Sequence, residues 1–403
     1  MTGVLEGRPD GRTSVRAENR FRSSIRDGVE VHASIAEIEP DLWDSILDRD
    51  DLQATHRFVS TCEESGIEDA SYRHILVHAG GRLVGTATLS EMSVSLDLLA
   101  PRAVRGAISA ARGLHPGFLR VPVVFCGLPV SFGQSCLRFH PSGDRNHVVR
   151  AVAQAMAEFA GQEGAAVLCL KEFSDAEAGH LHALEAMGYI RARSLPACPL
   201  RLEWRTFEEY LAALRAPYRR QILADLHARG GRGVELRLVE DFSEETAPIF
   251  ALYEQVIDRA EFRLERLNLA FLKRLNANLG SETRALFLET REGRCLAVAV
   301  LLYTPRTLTF LLAGIDYEAN REHRAYLNLV AAVVAEGIRV GAEVLELGQT
   351  SYALKTRLGG RPDPRWIYLR ARSPIAHHAL RSTAAVLFPA TRTPARRVFR
   401  KSG

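Results

Sequence analysis

Two residues late in the chain, Tyr352 and Lys355, have types and a spacing that could do chemistry. They follow the apolar run VLELGQT (344–350), in a turn-rich segment beyond what reads as the carboxyl end of a strand. A separation of three places both on one face if the segment is helical. A lysine there can bind a phosphate or a carboxylate, and a tyrosine can donate to a leaving group or position it. A surface lysine beside a packing tyrosine fits the same spacing. Lysine is scarce in this chain: Lys171, Lys273, Lys355 and Lys401 stand against 48 arginines. Gln349 and Thr350, at the strand end, can offer hydrogen bonds to a carbonyl or cap the turn. Earlier, Lys171 and Glu172 sit in the run VLCLKEF (167–173), as an ion pair at a domain junction or a polar pair in a cleft. Glu172 is the best carboxylate candidate for a base. Gln134 belongs to a polar Gly133-Gln134-Ser135 break between apolar strands, a bulge or a loop lining a site. Arg263 lies in a helix–break–helix pattern over 253–275, either on a solvated face or offering its planar fork to an anionic substrate group.

Other chemistries find little support. The six cysteines form no C-x-x-C pair and no zinc-finger spacing with histidine. Most sit in apolar strings, where cysteine acts as a small buried hydrophobe. His377-His378 has no partner at metal spacing, so no metal site is expected. Gly-x-Gly-x-x-Gly and Walker A patterns are absent, which argues against nucleotide-dependent oxidoreductases and ATPases. The 403 residues are 47% hydrophobic and 25% charged, with net charge +4, the profile of a soluble globular protein. No run approaches the ~18 apolar residues of a membrane-spanning helix. The first residues lack the apolar core of a secretory signal, so a disordered polar leader (1–29) and a cytoplasmic location are expected. Residues 370–403 carry eight basic residues and no acid. Such a tail (373–403) can be a solvated solubility segment or can touch an anionic surface, peripheral to the inner membrane face.

The elements that must position these residues repeat. HILVHAGGRLVGTATL (74–89) and LFLETREGRCLAVAVLL (286–302) each read as two strands around a polar turn. Later in each half comes an amphipathic helix, a glycine break and an apolar strand: 147–173, and again 325–350. The runs VPVVFCGLPV (121–130) and TLTFLLAGI (307–315) supply the strand before each helix. The first half carries an extra segment at 92–122. The pattern predicts an α/β (α+β) chain of two tandem domains, 30–200 and 201–372, each a mixed, mostly antiparallel sheet flanked by helices. Near the join, Thr206 is positioned to cap a helix with Glu209 as its capping-box partner.

Three stretches of the second half resemble the FemAB-like branch of the GNAT acyltransferase superfamily. FEEYLAALRAPYRRQILADL (207–226) is similar to that branch's opening helix, with the basic pair Arg219 and Arg220. Residues 311–347 resemble its strand–helix–strand core. GQTSYALKTRLGG (348–360) is similar to its closing Tyr-x-x-Lys…Gly signature. The first half resembles the degenerate partner domain of two-domain members. The resemblance implies an N-acyltransferase, related to peptidoglycan-type chemistry, that moves an acyl or aminoacyl group from acyl-CoA or aminoacyl-tRNA to a small-molecule or peptide amine, with no permanently bound cofactor. It implies catalytic roles for Tyr352 and Lys355, with Glu172 as the base candidate beside them. Arg219 and Arg220 are then expected near substrate, with Gln349, Thr350, Arg263, Lys171 and Gln134. One departure is plain: the segment ANREHRAY (319–326) has no glycine where CoA-dependent relatives carry a Gly-rich phosphate loop. Arg321 and Arg324, with Tyr326, would have to hold the donor through side chains. A non-catalytic module that binds a cell-envelope precursor, RNA or a membrane surface is the alternative.

Overall fold

The computed structural model describes residues 28–95, 120–130, 132–231, 233–260 and 265–400. The expected leader lies almost entirely outside the described residues, as do Arg263 and the helix-like part of the extra segment in the first half. The strands are β1 (Val29–His32), β2 (Ser71–Ala79), β3 (Arg82–Ser95), β4 (Arg120–Cys126), β5 (Leu137–Phe139), β6 (Val167–Phe173) and β7 (Ile190–Ala197), then β8 (Pro199–Arg201), β9 (Val234–Val239), β10 (Thr283–Thr290), β11 (Cys295–Tyr303), β12 (Thr307–Ile315), β13 (Val344–Glu346) and β14 (Asp363–Ala371). The helices used below are α1 (His56–Glu64), α2 (Arg145–Gln162), α3 (Ala216–Gly231), α4 (Thr246–Arg259), α5 (Leu269–Leu279), α6 (Ala325–Arg339), the short α7 (Tyr352–Lys355) and α8 (Pro374–Leu387).

Both expected hairpins form. β2 and β3 turn through Gly80 (φ 57°) and Gly81 (φ 75°), two consecutive left-handed residues that match the twist of the strands they join. β10 and β11 pair around Gly293 (φ 85°). In each half a parallel pair carries the crossing helix: β4 with β6 around α2, and β12 with β13 around α6. The parallel pair requires such a crossover. α2 starts at Asp144, whose carboxylate accepts from the Asn146 N–H. Thr206 accepts from the Glu209 N–H, but the Glu209 carboxylate reaches the Arg205 amide instead of closing a box on Thr206.

The two sheets trade strands. The first runs β1-β2-β3-β4-β6-β14-β7, with β5 paired to β3. The second runs β8-β13-β12-β11-β10-β9. β14, the last strand of the second half, inserts antiparallel between β6 and β7. β8, which closes the first half, pairs antiparallel with β13. Each sheet therefore holds one strand from the other half of the chain.

Alternation along the strands sorts the cores. Leu286, Leu288, Ala299 and Leu301 face α6, while Ala285, Phe287, Val298 and Val300 face α4 and α5. α1 of the first half joins the latter core: the rings of Phe58 and Phe271 lie 6.5 Å apart. The back of the first sheet packs on α2. Its front, formed by Val123, Phe125, Cys169, Ile367 and Leu369, makes a smaller cluster that faces the second half.

The basic segment after residue 372 is folded, contrary to its reading as a solvated tail. α8 starts at Ser373, which caps it, and lays Leu380 against the first sheet's front. Further on, the Phe399 ring packs at a tilt against Trp204 with centroids 4.8 Å apart, and its backbone bridges to Leu214. The apolar Val398 and Phe399 anchor what the charge count alone marks as free. Among the described residues no helix is long and apolar enough to cross a membrane.

Candidate active site between the two sheets

β12 and β13 stay paired only from Thr307–Thr309 to Val344–Glu346. Beyond Thr309 they part, and β12 continues to Ile315. The opening is a cavity of about 1010 Å³ between the second sheet and the front of the first. It is bounded on one side by Phe310–Ala313 and on the other by Leu347–Ser351. α4 and α6 contribute Tyr253 and Tyr326 to its wall.

One end of the cavity is polar, and a local irregularity of β6 builds it. Trp366 of β14 pairs with Phe173 and Tyr368 with Leu170, so two residues of β6, Lys171 and Glu172, stand opposite the single Ile367. Glu172 takes φ 71°, the left-handed region. This β-bulge breaks the strand's alternation and re-aims a side chain. Neighbours that would point to opposite faces both line the cavity. Lys171 is 5% exposed, with its ammonium 5.7 Å from the Phe125 ring centroid. Gly127 makes room for it: a Cβ there would lie 2.5 Å from Lys171 Cε. Glu172 is held by the Gly133 N–H and by the Gln349 side chain. Burial pushes its carboxyl up, and nearby Lys171 and these hydrogen bonds work against that.

The second half supplies the facing wall. Gln349 donates to the Leu195 carbonyl at 2.7 Å, which ties the loop to β7. Ser351 takes φ 56° and hydrogen-bonds with Tyr326. Lys355 closes α7, 3% exposed, with no ion pair among the described residues. Burial lowers its pKa to about 8, and the neighbouring Cys198 opposes the shift slightly. Across the cavity, Glu265 is raised to about 7 by burial, with Lys171 opposing and Glu172 reinforcing. Its surface is half-buried because it borders the cavity. The cavity walls are largely apolar, so the carboxylate is still poorly solvated. A carboxylate and an ammonium both displaced toward neutrality in one cleft are what acid–base chemistry at neutral pH requires.

Lys171, Glu172, Gln349, Thr350, Lys355 and Tyr326 therefore meet in one cavity. Tyr352 does not line it. Its hydroxyl donates to the Pro196 carbonyl at 2.7 Å, so it ties α7 to β7. Gln134 also stays outside the lining, while the adjacent Gly133 does the work expected of that loop. Its N–H serves Glu172 and its carbonyl accepts from Arg365. Arg219 and Arg220 lie on α3, which packs on α6 and β9 away from the cavity. Arg324 is exposed, with φ 48°, at the start of α6. Arg321 lies in the short helix just before it. Glu265 escaped the sequence reading, because a glutamate in the run RLERLNLAF looks like a solvated face. Its flanking leucines were the available signal.

The start of α6 is not an open row of amides. The Asn320 side chain accepts from the Tyr326 N–H at 3.0 Å. A phosphate seated there would have to displace it.

No family model matches the chain. It is 23% identical, over 329 residues, to a Mycobacterium tuberculosis protein named "Putative 8-amino-7-oxononanoate synthase 2" in two strains. The match takes in 80% of this chain and 42% of that protein, so the chain spans under half the length of the curated relatives it matches. Among solved structures, FemX superposes with TM-score 0.54 at 12% identity, over 87% of this chain and 99% of FemX. A tandem GNAT protein from the clavulanic acid biosynthesis pathway gives 0.50 at 16%, over 86% and 99%. L-PGS from Bacillus licheniformis gives 0.50 at 10%, over 87% and 96%. The fold is thus a tandem GNAT-like one of the FemX type, as the motifs imply.

Proposed function

We propose that the protein is an N-acyltransferase whose reaction takes place at the polar end of the inter-sheet cavity. The observation that carries this reading is geometric: where β12 parts from β13, Lys171, Glu172, Glu265 and Lys355 line one cavity. The Glu265 carboxylate takes a proton from the amine, and the freed nitrogen attacks the acyl carbonyl. The C–N bond forms as the C–S or C–O bond to the leaving group breaks. Lys355, still protonated at neutral pH, faces the developing oxyanion and can return a proton to the leaving group. Thr350 orients the carbonyl, while Gln349, already committed to the Leu195 carbonyl and Glu172, holds the loop in place. The bulge keeps Lys171 beside Glu172 and Glu265, so the cluster never holds two uncompensated carboxylates. The FemX-type fold and the Tyr-x-x-Lys signature support the same reaction class.

Acyl-CoA and aminoacyl-tRNA are the two candidate donors, and a small or peptide amine is the acceptor. The test is incubation of the chain with each donor and a panel of amines, with amide products identified by mass spectrometry. Product that disappears in Glu265→Gln supports the proposal. No product with either donor, while ligands still bind the cavity, would replace it with the non-catalytic module.

A further inference from the structure

The polar groups occupy one end of the cavity, and the rest is hydrocarbon. The front of the first sheet carries Val121, Val123 and Phe125 of β4, Val167 and Cys169 of β6, and Ile367 and Leu369 of β14. A sheet face of this kind is normally covered by a packed layer. Here the side chains brought onto it from beyond the sheet, among the described residues, are Leu380 and Phe388, with Ala70 at its edge. The remainder faces the cavity and, across it, Val256 and Ile257 of α4. Along β6 the apolar stretch runs from Val167 to Lys171, about 13 Å at roughly 3.3 Å per residue. Lys171 marks the reacting end. β14 leads from Ala371, paired with Val167, directly toward α8 at the other end. There Val386 both lines the cavity and is 80% exposed, which marks a mouth.

We propose that the transferred acyl group is a long, unbranched hydrocarbon chain. It lies on the front of the first sheet, with its carbonyl between Lys171 and Lys355 and its tail toward the mouth beneath α8. This rests on the acyl-transfer reading and narrows it to a substrate class. An acetyl group would leave most of the apolar wall uncovered. A chain parallel to β6 buries it. A peptide or nucleotide would leave polar groups unpaired against Val123, Cys169 and Leu369.

The test is calorimetric titration of the full chain with straight-chain carboxylates from butyrate to laurate, with dodecanoyl-CoA and with dodecylamine. These carboxylates have no leaving group, so binding does not depend on turnover. Affinity is expected to rise about fourfold per added methylene, and dodecanoyl-CoA to bind. Cys169→Phe, which fills the middle of the groove, should weaken laurate tenfold or more and leave butyrate unchanged. A flat chain-length series would overturn the proposal. So would a folded C169F variant that binds laurate as before, or binding of dodecylamine while dodecanoyl-CoA and laurate do not bind. If C169F does not fold, the wild-type series decides alone. A steep series without any amide product leaves the chain site standing and removes acyl transfer. Amide product with a flat series does the reverse.

Discussion

The two halves share a plan but differ where each parallel pair ends. In the first, β4 and β6 stay paired from Val123 to Cys126, and β6 then bulges at Lys171–Glu172. In the second, β12 and β13 separate after three pairs, and the strand end becomes the loop Gly348–Ser351. The helices differ too. α2 begins at Asp144, an acid that caps its own amides, whereas α6 begins at Arg324 with no acid in its first turn. One half has become a wall that supplies an apolar face and a charge cluster. The other opens, and supplies the loop and the buried lysine. A duplicated fold can divide its labour in this way because opening one sheet and closing the other costs each half only a few strand pairs.

The largest effect would come from breaking the strand exchange. A chain ending before Asp363 loses β14, an interior strand of the first sheet, and Leu369 and Tyr368 leave two cores. It should not fold to a cooperative state. Full-length protein should show a single calorimetric transition, because each sheet contains a strand of the other half. Two well-separated transitions would show that the halves are independent.

Next comes the assignment of the base to one half. Glu265→Gln should lower kcat by about 10²–10⁴-fold, with the Glu172→Gln effect smaller, since Glu172 is already engaged by Gly133 and Gln349. Equal losses would make the first half an equal partner in catalysis. The rate should rise with pH through about 7 as Glu265 ionises and fall through about 8 as Lys355 loses its proton. Lys355→Met should abolish the alkaline limb.

Stability should respond to the same two groups. Glu265 has its folded pKa raised, so the native state holds more protons above the ordinary glutamate range. Its contribution therefore diminishes as pH rises toward 7. Lys355 has its folded pKa lowered, so the unfolded chain holds more protons between about 8 and 10.5. Stability should therefore rise over that window. Burying this ammonium costs about 3 kcal/mol, so Lys355→Met should raise Tm while it lowers kcat to a measurable residue. The smallest effect expected is at the bulge. Glu172→Gly and Glu172→Ala both remove the carboxylate beside Lys171, and the glycine variant, which relieves the left-handed backbone at φ 71°, should be more stable than the alanine variant by about 1 kcal/mol in denaturant melts.

Much of this was legible in the residues. The hairpin at Gly80-Gly81 announced itself through its turn chemistry, and the 307–315 strand through an unbroken apolar run. The repeat was visible because both copies keep the same spacing of hairpin, strand and helix. Lys355 stood out because so few lysines occur. Tyr352 looked like its partner, but three-residue spacing says nothing about which carbonyl a hydroxyl will find, and Pro196 claims it. Glu265 was hidden, because a glutamate among leucines and arginines reads as solvated until the wall opposite it is known.

The sequence by itself determined local structure: strand alternation, helix starts, glycine turns and the duplicated order of elements. These depend on neighbours within a few residues. Which strand enters which sheet, and which carboxylates and lysines share one cavity with the apolar front of the first sheet, were decided by the tertiary structure. Those outcomes depend on contacts between segments more than a hundred residues apart. Desolvation, which tunes Glu265 and Lys355, exists only once those segments have closed around them.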